Sequence, residues 1–546
     1  MQDYHEAVAA FNHDAVVAAT LHGDLGALNA CVECCDRHAI PGRIALFWKG
    51  QDGRREDWTY TDLARRAAQF ADFLIEQGVA PGDRVAGLLP RIPELVITIL
   101  ATWRVGAVYQ PLFTAFGPKA IEHRLRAGDA RLVVTDPANR GKLDAIEGCP
   151  PVVTVGGNRG TGIRRGDFSF WAEVERQKGT ARPVMRTGED AFMLMFTSGT
   201  TGSAKPVPVP LKALVGMIGY LRIGVDLRPE DSYWNIADPG WAYGLFYAVA
   251  APLAIGHPTL LYDGPFTAGS ACRIIAEYEI SNLCGAPTAY RLFLAAGSEA
   301  AGRIRGRLRV VSSAGEPLTP EIARWFADHL DAVVHDHYGQ TETGIVLGRY
   351  HGLRHRDAAG SAGFPMPGYR VVVVDAQGNE LPPATQGILA IDRARSPLFY
   401  FGGYPGQDGQ PFVGDYYLSG DVVDGNADGS ISFVGRADDV ITSSGYRIGP
   451  FDVESTLNEH PAVLETAVVG KPDPERTEIV KAFVVLKGGG KPGPSLAEAL
   501  QKHVRARLSA HAYPREIEFV DSLPKTPSGK VQRFILRQQA RAGAAG

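Results

Sequence analysis

The sequence predicts an α/β chain: a large N-terminal domain of two α/β layers plus a β-rich subdomain, then a small α+β C-terminal domain. Helical periodicity alternates with short apolar runs from about residue 40 to 155 and again from 190 to 350, the pattern of a largely parallel sheet covered by helices. Between about 360 and 435 the composition shifts to Gly, Pro and short β-branched runs such as Tyr369–Val374, which reads as a smaller β-rich unit. After Gly435-Arg436 a separate α+β pattern begins, so the expected domains are 1–437 and 438–546, with the boundary at Asp438. A chain of 546 residues that is 45% hydrophobic can fill several cores, in keeping with more than one domain.

In order along the chain, Thr61-Asp62 is the expected cap of a helix whose apolar stripe is Leu63, Ala67, Phe70 and Leu74. Gly78 and Pro81-Gly82-Asp83 end it, and Arg84–Leu89 follows as a strand. Pro93 to Val105 is the next helix and Arg131–Thr135 the next strand. Ala191–Phe196 is an uninterrupted apolar run, the mark of a strand buried on both faces. In the small domain the pattern predicts helices near Asp452–Glu459 and Leu496–Leu508, and strands near Thr466–Val469, Val480–Leu486 and Glu516–Val520.

Several function classes are disfavoured by composition. A formal charge of −4 provides no basic field for nucleic acid or a membrane surface. No apolar run approaches the ~18 residues a membrane helix needs, and the start is acidic without a signal-peptide pattern, so a soluble cytoplasmic protein is expected. The six cysteines do not form a disulfide framework, and Cys31, Cys34 and Cys35 lack a second Cys/His pair at zinc spacing. His335 and His337 would share a face on a strand, and His351 and His355 on a helix; without a carboxylate constellation neither pair is read as a metal site.

The stretch around which the rest is organised follows the buried run: Thr197-Ser198-Gly199-Thr200-Thr201-Gly202-Ser203-Ala204-Lys205. Glycines that let the backbone turn closely, five hydroxyls and one ammonium can present N–H groups, O–H groups and positive charge to a polyphosphate. It lacks the Gly-Lys-Ser/Thr spacing of a P-loop. A solvated turn has the same composition, and the loop alone leaves both readings open.

Further segments occur in a fixed order after it: Gly315-Glu316-Pro317, Tyr338-Gly339-Gln340-Thr341-Glu342-Thr343-Gly344, Ser419-Gly420-Asp421, Gly435–Asp439, Ser443–Pro450 and Pro524–Lys530. Together with the loop they resemble the motif series of the adenylate-forming enzymes, over nearly the whole chain. The details are most similar to medium-chain acyl-CoA synthetases, then to acetyl-CoA synthetases.

The resemblance implies ATP, Mg²⁺ and coenzyme A as reactants. For the nucleotide it implies Thr197, Ser198, Gly199, Thr200, Thr201, Gly202 and Lys205 at the β- and γ-phosphates, and Gly315, Glu316 and Pro317 along the adenine pocket with Asp336, His337, Tyr338, Gly339 and Gln340. It further implies Thr341 at the α-phosphate, Glu342 on the metal, and Asp421 and Arg436 on the ribose. A lone carboxylate between hydroxyls suits Mg²⁺, which retains water and phosphate oxygens as its other ligands. One departure stands out: the family usually has Pro-Lys-Gly, whereas this chain has Ala204-Lys205-Pro206. Proline removes an N–H and drives Lys205 toward extended geometry.

Lys530 resembles the lysine that bridges carboxylate and α-phosphate during adenylation. The small domain would be mobile, pivoting at Asp438 to swing Lys530 out and bring Gly445, Arg447 and Arg505 to coenzyme A. The same lysine resembles the site at which acylation silences the family, implying a lysine acetyltransferase and deacylase as partners. For the acyl pocket, Trp241, Tyr243 and Gly339 are the candidates. Acetyl-CoA synthetases carry tryptophan at the position of Gly339, so glycine implies a deeper pocket; alternatively, glycine serves close backbone approach there.

The expected activity is therefore an AMP-forming acid–thiol ligase for a short- to medium-chain or small aromatic carboxylic acid. A carrier-loading adenylating enzyme and an inactive nucleotide- or acyl-binding regulator are the alternatives. Ser443–Pro450 favours free coenzyme A. The identity of the acid and the oligomeric state are left open.

Overall fold

The computed structural model describes the chain except residues 157–161, 198–203, 357, 359, 444, 445, 474, 475, 489, 509–511, 527, 528 and 543–546, and gives the backbone alone of 300, 446, 447 and 542. The first layer is a seven-stranded sheet in the order Lys205–Pro210, Ala191–Thr197, Val108–Pro111, Arg84–Leu88, Ala130–Thr135, Val152–Thr154, Phe168–Ser169. Every neighbour is parallel except the edge pair Lys205–Pro210 on Ala191–Thr197. The second layer is a six-stranded sheet: Tyr233–Asn235, Asn282–Gly285, Val310–Ala314 and Val334–Gln340 run parallel, then Gly344–Gly348 and Phe364–Pro365 turn back antiparallel.

The helix of the first unit runs Tyr60–Glu76, with Leu63, Ala67, Phe70 and Leu74 all fully buried as their spacing predicts. Its cap is Thr59, not Thr61-Asp62. Thr59 is extended and takes the Asp62 N–H, while the Asp62 carboxylate reaches back to the Thr59 N–H. Asp62 is thus the third helical residue of a capping box, which satisfies donors at both ends of the first turn. His351 and His355 are not on a helix; with His335 they pack beside Leu353–Arg354, the His335 and His351 rings 3.8 Å apart.

Pro206, Pro208 and Pro210 fall at every second position of the edge strand. Proline has no N–H to donate, so the ladder bonds come from Lys205, Val207 and Val209. An edge strand tolerates this because the other row of N–H positions faces away from the sheet. The buried run Phe192–Phe196 gains a partner, and the edge beyond it is closed to further pairing.

A third sheet joins the halves, with Ile44–Gly50 parallel to Thr259–Asp263 and antiparallel to Arg55–Thr59. The β-rich unit is a five-stranded antiparallel sheet built on Thr385–Asp392 and Tyr416–Gly425, with Ile431–Arg436 on the latter. Its Leu389, Ile391 and Tyr417 belong to the same core as Leu63, Met193 and Tyr247. The C-terminal sheet centres on Thr477–Leu486 between Val463–Asp473 and Glu516–Phe519, with cores of its own on its two faces. A terminal helix, Arg533–Ala542, covers one of them through Leu536 and Ala540. Among the described residues no helix is long and apolar enough to cross a membrane.

Candidate active site

The parallel strands of the second sheet deliver the motif segments to one edge. Asn282–Gly285 leads into Ala286-Pro287-Thr288, Val310–Ala314 into Gly315-Glu316-Pro317, Val334–Gln340 into Thr341-Glu342, and Tyr233–Asn235 toward Trp241, the N-cap of the short helix Ala242–Gly244 that carries Tyr243. Ligands of open α/β sheets bind at these carboxyl ends, where loops diverge from a rigid base. Gly315 makes its turn at φ +93°, a conformation that side chains with a Cβ resist.

The Thr341-Glu342 turn is held from three sides by tyrosines of the β-rich unit. Tyr400 donates to the Thr341 carbonyl (2.7 Å), Tyr404 to Glu342 Oε1 (2.7 Å) and Tyr417 to Gln340 Oε1 (2.7 Å). Lys205 places its ammonium 4.7 Å from the Tyr404 ring centre, so the lysine of the phosphate segment and the candidate metal carboxylate share one tyrosine. Pro206 has not displaced Lys205 from the cleft. Thr197 pairs with Lys205 across the strands, while Ser198, Gly199, Thr200, Thr201 and Gly202 lie outside the described residues.

Asp421 and Arg436 are direct cross-strand partners, with guanidinium and carboxylate 3.1 Å apart. Asp421 also accepts from Gln340 Nε2 (2.9 Å) and from the Tyr338 hydroxyl. Burial pushes the Asp421 carboxyl up, and the Arg436 charge works against that shift. Glu342 is 6% exposed and is likewise pushed up by burial, with the Tyr404 hydroxyl opposing. A single buried carboxylate beside Lys205 fits Mg²⁺ carried in with a polyphosphate. It does not form an all-protein cage, and among the described residues no group of three His, Cys, Asp or Glu could hold a metal.

Neighbouring residues of the strand Val334–Gln340 part to opposite faces. Asp336 accepts from the Leu318 N–H (3.4 Å), on the side of Gly315-Glu316-Pro317, and burial lifts its carboxyl to about 7. The His337 side chain does not face that way: it bonds Tyr220 (2.8 Å) and the Arg349 carbonyl (3.2 Å) on the other face. The strand's alternation thus removes the His337 ring from the Asp336 side and sets it against Tyr220. Burial holds it neutral, down to about 3.

Trp241 packs against Phe113 and Phe116, and Tyr243 against Tyr220 and Tyr247, the last of which accepts from the Ile345 N–H after the turn. Gly339, the third candidate for the acyl pocket, has no room for a side chain. The strand bulges between Tyr338 and Gly339, and a Cβ at 339 would lie 2.1 Å from the Gly344 carbonyl oxygen. Glycine here serves close backbone approach, the alternative weighed for it.

Lys530 sits on a loop closed by Lys525 and Val531; the Thr526 N–H donates to the Lys530 carbonyl (2.7 Å). A Cβ at Gly529 would be 3.5 Å from Thr288, whose hydroxyl donates to Glu316 (2.7 Å), so this loop rests against the adenine-pocket segment. Asp438 lies in the turn after Ile431–Arg436, 3.6 Å from Arg436 Nε, and its carbonyl takes Arg537 of the terminal helix. Of the three coenzyme A candidates, Gly445 lies outside the described residues and Arg447 is in the strand Tyr446–Ile448. Arg505 is exposed, over the ring of Tyr513 (5.6 Å) rather than in the cleft.

Sequence reasoning missed Tyr400, Tyr404, Tyr417 and Tyr220. The tyrosine density of 400–417 was the available signal. It carries no motif, because each tyrosine is defined by a partner some 60 or more residues away.

Residues 35–404 match the model of the AMP-binding enzyme family and residues 452–530 that of the AMP-binding enzyme C-terminal domain. The chain is 37% identical to the acetyl-coenzyme A synthetase of Bacillus subtilis, covering 98% of this chain and 95% of that protein. It is 34% identical to the mitochondrial acyl-coenzyme A synthetase ACSM3 of Homo sapiens, over 91% of this chain and 86% of the other. Among solved structures, an acyl-CoA synthetase of Brucella canis superimposes with a TM-score of 0.81 at 54% identity over 100% of both chains. The anthranilate CoA ligase AuaEII, in complex with anthranoyl-AMP, does so with a TM-score of 0.84 at 28% identity, over 95% of this chain and 98% of that one. On its motifs, its fold and these matches across both domains, the chain belongs to the AMP-binding enzyme family.

Proposed function

We propose that the protein is an AMP-forming acyl-CoA synthetase for a short- to medium-chain or small aromatic carboxylic acid. The carrying observation is the meeting of Lys205, Glu342 and the Asp421–Arg436 pair at one cleft, with the Lys530 loop against its rim. A carboxylate oxygen attacks the α-phosphorus of ATP; that P–O bond forms as the bond to the β-phosphate oxygen breaks, and pyrophosphate leaves. The thiol of coenzyme A then attacks the acyl carbon, losing its proton, and AMP departs with the acyl–oxygen electron pair.

Both steps bring anions together, so the residues supply charge. Lys205 is assigned to the β- and γ-phosphates, Thr341 to the α-phosphate, Asp421 to the ribose hydroxyls with Arg436 beside it, and Lys530 to the transition state of the first step. Glu342 would hold Mg²⁺, which offsets phosphate charge when bound. Residues 438–546 turn about Asp438 between the steps, and Gly445 and Arg447 serve the second. Support comes from relatives named as acetyl- and acyl-coenzyme A synthetases, matched across both domains. The site is expected to work in the cytoplasm and to be silenced when a lysine acetyltransferase modifies Lys530. Acetylation removes the charge.

The test is pyrophosphate release over acids from acetate to octanoate and benzoate, with and without coenzyme A. Release together with acyl-CoA formation is expected; a protein that binds ATP but releases none would be a regulator.

A further inference from the structure

Three alternate positions of the strand Tyr416–Gly425 are buried, Tyr417, Ser419 and Asp421, and the side chain of Gln340 bonds to all three. Gln340 Nε2 donates to the Ser419 carbonyl (3.0 Å) and to Asp421 Oδ2 (2.9 Å). A carbonyl oxygen can only accept, so the amide nitrogen stands on that side and Oε1 faces the Tyr417 hydroxyl at 2.7 Å. Oε1 has no proton, so Tyr417 donates. The Tyr417 ring is fixed by Phe399, Phe401 and Phe412 and is fully enclosed. Turned over, the amide would set its oxygen against the Ser419 carbonyl and against Asp421, two acceptor–acceptor contacts. At Asp421 the consequence is an unequal carboxylate. Oδ2 takes two donors, Gln340 Nε2 and the Tyr338 hydroxyl, which fills the capacity of that oxygen. Oδ1 takes Arg436 Nη1 (3.1 Å) and keeps a lone pair.

We propose that Tyr417 is a positioning residue for the nucleotide ribose: through Gln340 it holds Asp421 so that Oδ1 accepts from a ribose hydroxyl, which sets a preference for ribo- over deoxyribonucleotides. The proposal rests on the synthetase reading and on the assignment of the ribose to Asp421. Tyr417 touches no substrate in this role. Without its O–H, Gln340 Oε1 becomes a buried acceptor with no donor, and the amide gains by leaving the orientation that serves Asp421. Oδ2 then loses one of its two anchors, and Oδ1 is no longer held for the hydroxyl.

The experiment measures kcat and KM of pyrophosphate release for ATP and for its 2′-deoxy and 3′-deoxy forms, with coenzyme A and the best acid of the panel at saturation. In the wild type, ATP should exceed the deoxy form lacking the bonded hydroxyl by about 10- to 150-fold in kcat/KM, the range for one hydrogen bond to a charged group. In Tyr417→Phe the KM for ATP is expected to rise about tenfold with kcat little changed, and the ATP-to-deoxy ratio to fall by the same factor. A merely structural role would lower ATP and both deoxy forms alike. Gln340→Glu is the second variant: Tyr417 can still donate to it, but the carboxylate has no donor for Asp421, and the same fall in the ratio is expected. A thermal melt establishes which variants are folded, and either folded variant decides. Failure of both to fold would overturn the proposal, because the pair would then serve the fold and not the ribose. An unchanged ratio in a folded variant, or a wild type indifferent to both deoxy forms, would overturn it and leave the synthetase intact. No pyrophosphate release from ATP with any acid would overturn the synthetase reading itself.

Discussion

Tyr404 shows how much of the site depends on single side chains outside the motifs. It donates to Glu342 and lies under Lys205, so Tyr404→Phe removes the hydrogen bond but keeps the ring. The expected result is a fall of about 10- to 150-fold in kcat/KM for ATP, with more Mg²⁺ needed for half-maximal rate, the size of one hydrogen bond to a charged group. A magnesium titration of both proteins checks it. The buried histidines make a second prediction. Burial holds His337 to about 3 and His351 to about 4, and pushes His335 down as well. Below the unfolded value of about 6.5 the unfolded chain takes up protons that these folded rings refuse, so stability falls as pH drops. Carboxyls raised by burial, among them Asp336 (to about 7), Asp452 (to about 6), Asp421 and Glu342, have the opposite sign, so the histidine contribution is read as a difference between proteins. In denaturant unfolding between pH 6.5 and 4.5, His351→Gln should lose less stability as pH drops than the parent, by up to ~1.4 kcal/mol per pH unit.

At the scale of elements, the hairpin of Val334–Gln340 and Gly344–Gly348 is where backbone geometry and chemistry meet. The bulge at Gly339 aims the Thr341-Glu342 turn, and the Gly344 carbonyl fills the space a Cβ would need. Gly339→Ala is therefore expected to depress adenylation of all acids alike, leaving the order of preference among chain lengths unchanged, with a stability loss of ~1–3 kcal/mol from overpacking. Relative kcat/KM from acetate to octanoate checks it; a selective loss of the longer acids would return Gly339 to the acyl pocket. The edge strand Lys205–Pro210 illustrates the converse, a rule broken without damage. Three prolines at alternate positions leave the ladder donors in place and Lys205 in the cleft.

In the molecule as a whole, the Lys530 loop touches the large domain at Thr288, and Arg324 reaches Glu459 of the small domain at 3.7 Å. The turn at Asp438–Asp439 is fastened to the terminal helix by Arg537 and approached by Arg533. Such a turn would travel with the small domain. Lys530→Ala should reduce acyl-AMP formation by roughly 10²–10³-fold, as loss of one transition-state charge does, and leave thioester formation from supplied acyl-AMP largely intact. Equal loss of both half-reactions would assign the lysine a structural role.

Local pattern determined a great deal by itself. The helix stripe at Leu63, Ala67, Phe70 and Leu74, the buried strand at Ala191–Phe196 and the order of the motif segments are all legible, since periodicity and motif spacing are properties of neighbours in sequence. The sheet Ile44–Gly50 with Thr259–Asp263, the tyrosines that hold Gln340, Thr341 and Glu342, the departure of His337 from the Asp336 side and the backbone contact at Gly339 were decided only in three dimensions. Each depends on which remote atom occupies a given direction in space. A sequence records what a side chain can donate or accept, and the tertiary fold chooses its partner.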